Sequence, residues 1–547
     1  MARPLFLNGN GVRAIWFLML LSPAIFLFAI LVVPFIGIIA DFSGHIPFLS
    51  SVGSGIYGLL GRRAIYNSLV QGGISAFFSF IFGFPLGIYM GRYSAGLRRF
   101  LRSITVIPFF LPSIVVVIAF VSLFGPGSFL TSRLPVLGIF AQGLTGIVTV
   151  NVFFNAPLVA FLTSLAVERS DRSLEESAMT LGAGKFRVFY SVWGRDGILA
   201  AVSAAVLAFL YSFAGFAAPL IIGGVKNFTV EAWIYFIVKE EANLPLGVAF
   251  SIIQSLVLIL PVLVYFFLWN RQRRVTSKSP DKYAKTGGRL VYMGKIYTAL
   301  FIVAEFIILG SVILSSFDLK WNSHFTLSAY SGLFSNVTRN ALGTVPSLPF
   351  LNTLFYGTMT AVISSSLGML WIVGKRRVGA RPDSIVDSTQ FIPLVIPAIV
   401  MAFSVSIILG EHVSSSLTWV LIILVQTAVS IPVVLRMISS GFSRVPQSLS
   451  EAARILHGNA FFTVELPLAG TTLATALLFG FAISMGEFTA TNFLSTSTFM
   501  PLSVEIYSLQ SLRLTQEAYA AASLLLILSL VSFYLIQRFG ESFVGIR

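Results

Sequence analysis

Two short segments carry residues whose types and spacing suggest a shared task. Ser173-Leu174-Glu175-Glu176-Ser177-Ala178-Met179-Thr180-Leu181-Gly182-Ala183 and Ser448-Leu449-Ser450-Glu451-Ala452-Ala453-Arg454-Ile455-Leu456-His457-Gly458 each place a serine three residues before a glutamate. That spacing is a capping box, in which the hydroxyl takes a backbone N–H near the helix start and the glutamate reaches back to the cap N–H. Small residues follow, then leucine, then a glycine suited to closing the helix in a left-handed conformation. Each segment therefore reads as a short helix with a small-residue face that another protein could approach closely. A capped interfacial helix with no partner is the plainer reading of one copy; two copies at equivalent places favour docking. Bond-making chemistry has little support. There is no cysteine, and His45, His324, His412 and His457 are too scattered for a metal cluster. No Gly-x-x-x-x-Gly-Lys-Ser/Thr phosphate loop occurs, since Gly184-Lys185 lacks both the upstream glycine and the following hydroxyl residue. The chain is expected not to be an enzyme and to hold no cofactor of its own.

The elements that position these segments are membrane spans. The 547 residues are 56% hydrophobic and 10% charged, too apolar for an ordinary water-soluble domain. Twelve segments have roughly the 20 apolar residues needed to cross a bilayer: 15–40, 64–90, 103–124, 146–167, 198–222, 246–269, 296–317, 350–373, 392–410, 413–435, 468–485 and 518–536. The fold class is thus an all-α membrane protein. The first span exceeds a signal-peptide core and reads as retained. The formal charge of +15 sits in short clusters between apolar runs, which marks topology rather than nucleic-acid binding. Alternate sides of the spans hold 28 and 8 of the 36 Lys and Arg residues, placing both termini and both glutamate segments in the cytoplasm.

The chain is also a tandem repeat. A basic polar linker, 271–295, separates a first six-span half, 1–270, from a second, 296–547. Ile107-Pro108-Phe109-Phe110-Leu111-Pro112 returns as Ile392-Pro393-Leu394-Val395-Ile396-Pro397, and the same offset of 285 carries Asn67 onto Asn352 and Gly125 onto Gly410. Pro157 and Pro432 each stand 19 residues before the key glutamate. The halves share one polarity, a parallel repeat around a central path.

On these loops the sequence resembles the permease subunits of binding-protein-dependent ATP-binding-cassette importers, whose signature is Glu-Ala-Ala, three residues, then Gly. The second copy has Glu451-Ala452-Ala453, and the first has Glu176-Ser177-Ala178 with Gly182 in place. Two departures stand out: His457 takes the signature glycine position with Gly458 one place later, and the closing Leu-Pro occurs only as Leu466-Pro467. The resemblance implies the type I importer fold and a coupling role for Glu176, Ser177, Ala178, Gly182, Glu451, Ala452, Ala453 and Gly458. It also implies partners: two copies of a cassette ATPase that carry ATP and Mg, an extracytoplasmic substrate-binding protein, and the lipid bilayer.

For the path, Ser484-Met485-Gly486-Glu487-Phe488-Thr489-Ala490-Thr491-Asn492 aligns with Ser212-Phe213-Ala214-Gly215-Phe216, so an acid stands in the second half only. Glu487, Thr489, Asn492 and Ser212 are the candidate path residues. Glu487 either meets a cationic cargo or marks the outer water boundary and caps backbone groups. Glu305 reads as a peripheral residue near a lipid or helix contact. The layout, including Gly486-Glu487-Phe488-Thr489-Ala490 and Val504-Glu505-Ile506-Tyr507, is most similar to fused two-half permeases of thiamine and ferric-iron importers. A rival from another class, an ion-gradient-driven transporter of six plus six helices, explains the repeat but not the paired loops.

Overall fold

A computed structural model describes residues 9–43, 53, 58–94, 97–128, 130–170, 172–273, 288–317, 325–378, 392–456 and 458–540. Most of the basic linker, together with His45, His324 and His457, lies outside these residues. Among the described residues the regular structure is entirely helical. Among the described residues ten helices are long and apolar enough to span a bilayer, and they occupy ten of the twelve sequence segments. The fifth runs over Phe186–Phe213 and stops short of 222. Its last turn tightens at Gly215, whose N–H reaches the Ser212 carbonyl at 3.1 Å, and Pro219 falls in the first turn of a separate short helix beyond it.

The third and ninth segments are interrupted, and the repeated proline motif is the cause. In the third, Arg98–Thr105, Ile107–Phe110 and Ser113–Phe124 are separate helices; in the ninth, Ile392–Val395 and Ala398–Ile408 are. Leu111 is extended at φ −78°, ψ 151°, as sterics demand of a residue before proline. The 12 residues of Ser113–Phe124 rise about 18 Å, against about 30 Å of hydrocarbon.

Compactness divides the chain into an early unit, Ile46–Leu333 with Leu509–Leu524, and a late unit, Met1–His45 with Phe334–Ser508 and Leu525–Arg547. In the early unit the second, fourth and fifth spans pack on one another; in the late unit the eighth, tenth and eleventh do the same. On the second span Gly83, Gly87 and Gly91 form a ridge, where an added Cβ would lie 2.5, 2.6 and 2.7 Å from the carbonyls of Ala156, Ala160 and Ser164. Only a missing side chain allows the fourth span's backbone so close, which is how helices associate where lipid removes the hydrophobic drive.

The repeat and the compact units partition the spans differently. Within the early unit the seventh span packs on Ser113–Phe124, with Ser311 and Ser122 hydroxyls 2.7 Å apart. Within the late unit the first span lies along the eighth, where Arg377 sits 5.4 Å over the Trp16 ring and Gly374 meets the Leu20 backbone.

Candidate functional site

The first loop helix is Arg172–Thr180 and the second Gln447–Ile455. Both begin one residue before the serine expected to cap them, so Ser173 and Ser448 lie inside the first turn and the capping-box expectation is corrected. In the second loop Pro446 precedes the helix, its carbonyl accepting from Leu449 N–H at 3.2 Å. The proline thus holds the cap position that the sequence assigns to the serine.

The C-terminal expectation for the first helix is met. Gly182 has φ +85°, Ala183 N–H reaches the Ala178 carbonyl at 3.0 Å and Gly182 N–H the Met179 carbonyl at 2.9 Å. This is a Schellman closure, with glycine at its left-handed position. In the second loop Gly458 N–H reaches the Ala453 carbonyl at 2.8 Å. Gly458 therefore matches Ala183 rather than Gly182, the one-residue displacement seen in the sequence.

The residues singled out in the sequence lie only in part on the exposed side of each helix. Glu176, Ser177, Glu451 and Ala452 are exposed, while Ala178 and Ala453 are half-buried. Large apolar side chains surround them: Leu181 is 88% exposed and Leu456 81%, with Leu174, Phe186, Leu449 and Phe462 also exposed. Both loop helices thus carry exposed apolar side chains beside the glutamate.

The inner sides carry residues that sequence reasoning passed over. Glu175 is buried and forms an ion pair with Arg92, at the end of the second span, while the Arg92 guanidinium lies 4.2 Å over the Trp193 ring. Beside it Glu168 takes Arg98 at 2.7 Å and also Arg102. Burial pulls the Arg102 guanidinium below its ordinary value, with Glu168 opposing the shift. In the late unit Arg376 pairs with Glu465 at 3.0 Å and donates to the Phe442 carbonyl. The signal that could have revealed Arg92 was its offset of 285 to Arg377, the spacing already noted for the prolines.

The repeat is visible in hydrogen bonds as well. Asn67 donates to the carbonyls of Lys226 and Phe228 at 3.1 and 3.2 Å; Asn352 donates to those of Thr498 and Met500 at 3.0 and 2.9 Å. Ser68 accepts Val230 N–H and Thr353 accepts Leu502 N–H, both at 2.8 Å. Identical use of equivalent polar groups is what a duplicated scaffold requires.

Residues 83–276 and 364–544 each match the family described as binding-protein-dependent transport system inner membrane component. The chain belongs to this family.

The permease is similar to the ferric transport system permease protein FbpB of Actinobacillus pleuropneumoniae, at 25% identity over 80% of this chain and 65% of that one. It thus spans just under two thirds of that relative's length. The thiamine transport system permease protein ThiP of Haemophilus influenzae is 25% identical over 88% of this chain and 89% of its own. The spermidine/putrescine permease PotC of Escherichia coli is 26% identical over 45% of this chain but 91% of its own, so half of this permease spans nearly a whole relative. A solved bacterial alginate importer chain aligns over 49% of this chain and 99% of its own, at 19% identity and TM-score 0.41. Ten apolar helices and this family make the chain a multi-pass protein of the cytoplasmic membrane.

The path candidates divide between the units. In the late unit Glu487 is buried, and its carboxylate accepts Ala490 N–H at 2.8 Å, Thr491 N–H at 2.9 Å and the Thr491 hydroxyl at 2.6 Å. Glu487 therefore caps backbone groups at the start of the helix Thr489–Leu494, but it is buried, at 8% exposure, rather than placed at a water boundary. The network continues as Gln426 donates to the Thr491 hydroxyl at 2.9 Å and accepts from Ser484 at 2.6 Å. Thr489 starts the capped helix, and the buried Asn492 leaves its side-chain nitrogen without a hydrogen-bond partner. In the early unit Ser212 takes Asn155 at 3.1 Å, and Asn151 donates to Gln71 at 2.7 Å. Asn151 and Gln426 are repeat equivalents, as are Ser212 and Ser484, so each unit has a polar core at one place. Glu305 is only 3% exposed and neither of its oxygens has a partner, which places it at a buried helix contact.

Proposed function

We propose that this permease is the membrane-spanning subunit of an ATP-binding-cassette importer, coupled through its two loop helices to two copies of a separate cassette ATPase. The observation that carries this reading is the pair of loop helices at repeat-equivalent places. Each turns a glutamate and the small residue after it outward among exposed apolar side chains, and ends on the same five-residue backbone closure. With the broken third and ninth segments each completing a crossing in pieces, the excess of Lys and Arg on the loop side supports a cytoplasmic position for both helices and both termini. ATP and Mg then act on the partner. Closure of the two ATPase subunits carries the loop helices together and shifts the spans between inward-open and outward-open packings.

Cargo arrives from an extracytoplasmic binding protein. Ferric iron or thiamine is the preferred cargo, supported by what the two long relatives are named for. Both are cationic. With the Glu487 carboxylate occupied by its own helix, charge selection rests with the binding protein rather than with that residue. The test is Glu451→Arg in the host membrane. Loss of the co-purifying ATPase with the permease still folded supports docking; undiminished association and uptake sinks it, and uptake driven by an ion gradient without ATP would establish the rival.

A further inference from the structure

Glu175 and Glu176 are neighbours on the first loop helix with opposite tasks. Glu176 is exposed on the docking side, whereas Glu175 is turned inward and 7% exposed. Its ion-pair partner Arg92 closes the last turn of the second span and stacks on Trp193, near the start of the fifth span. One guanidinium thus joins the loop helix, the end of the second span and the start of the fifth. Arginine suits this junction because its plane stacks on an indole while its edge donates to a carboxylate. The repeat does not reproduce the junction. Ser450 stands where Glu175 would be, buried with its hydroxyl unpartnered, and Glu465 stands where Trp193 would be, paired with Arg376.

Resting on the docking reading above, we propose that Arg92 and Glu175 are positioning residues that fasten the first loop helix to the second span. Displacement of that helix then moves the second span directly, and through the Gly83, Gly87 and Gly91 ridge it moves the fourth. The fastening belongs to the first half, so the two loops pass force into the spans by different routes.

The permease has no native cysteine, so paired spin labels can be placed cleanly at Ser173→Cys on the loop helix and Leu97→Cys beyond the second span. The measurement is made on the complex purified with its ATPase, in lipid nanodiscs. The expected result is a narrow distance distribution that Glu175→Gln broadens roughly twofold, as release of a local anchor should. ATP hydrolysis falls while the bound amount of ATPase is unchanged, and Arg92→Glu with Glu175→Arg, which keeps the ion pair but not the stack on Trp193, restores both in part. Arg92→Lys, which keeps the charge but loses the stacked plane, provides a second variant if Glu175→Gln folds poorly; Ser450→Ala is the silent control. Unchanged width and hydrolysis in the folded variants would overturn the proposal while leaving docking intact. Absence of any ATPase from the unsubstituted complex would instead overturn the docking reading itself.

Discussion

The Thr491 hydroxyl donates to the Glu487 carboxylate at 2.6 Å and accepts from the Gln426 amide at 2.9 Å, so an acid and an amide on different helices share one small group. Glutamine at position 487 would keep one acceptor and turn an NH2 toward the amide donors that now surround the carboxylate. Glu487→Gln is therefore expected to cost about 1–3 kcal/mol and to lower the thermal unfolding temperature of the detergent-purified permease, while apparent cargo affinity stays the same. A weakened affinity at unchanged stability would mean that the carboxylate meets cargo.

Gly182 shows how a single backbone angle can be probed. Its φ of +85° disfavours a side chain, yet an added Cβ would meet nothing within 4 Å. Gly182→Val should fray the end of the first loop helix at a cost of about 1–2 kcal/mol without any clash, and Gly182→Asn should be milder. Hydrogen exchange at Leu181 to Ala183 reads the difference; equal protection in both variants would contradict a left-handed cap.

The second span offers an internal control. At Gly87 a Cβ would strike the Ala160 carbonyl at 2.6 Å, whereas at Gly73, on the same helix, it would meet nothing. Gly87→Val is expected to separate the second and fourth spans, at about 1–3 kcal/mol or more for overpacking, and to reduce the yield of monodisperse protein. Gly73→Val should leave that yield unchanged. Similar losses at both positions would deny that the ridge is an interface.

Much of this architecture was legible because lipid is a demanding solvent. Spans such as 246–269 announce themselves by apolar length, and the structure places that helix at Leu244–Trp269. The proline motifs were visible as a repeat, but their consequence, two broken helices in place of two full spans, depends on where neighbouring backbone can satisfy the freed groups. The loop helices stand where the sequence puts them, with Glu176, Ser177, Glu451 and Ala452 exposed but Ala178 and Ala453 half-buried. Each helix starts one residue before the serine that the capping box would use, and only in the second loop does a proline, Pro446, precede the helix. Buried partners such as Arg92 with Glu175, or Gln426 with Thr491, join residues distant in sequence, and periodicity has no access to such pairs. The regrouping of the first and seventh spans was hidden for the same reason.

The most direct test of the coupling claim uses the absence of native cysteine. Ser177→Cys and Ala452→Cys, at equivalent places on the two loop helices, are introduced singly and crosslinked in native membranes with a short bifunctional maleimide. The captured polypeptide is then identified by mass spectrometry. Docking predicts that each cysteine captures the same polypeptide, one containing a phosphate-binding Gly-x-x-x-x-Gly-Lys-Ser/Thr loop, and that ATP with vanadate changes the yield. Capture of no such ATPase from either position, in membranes that still transport, would contradict it.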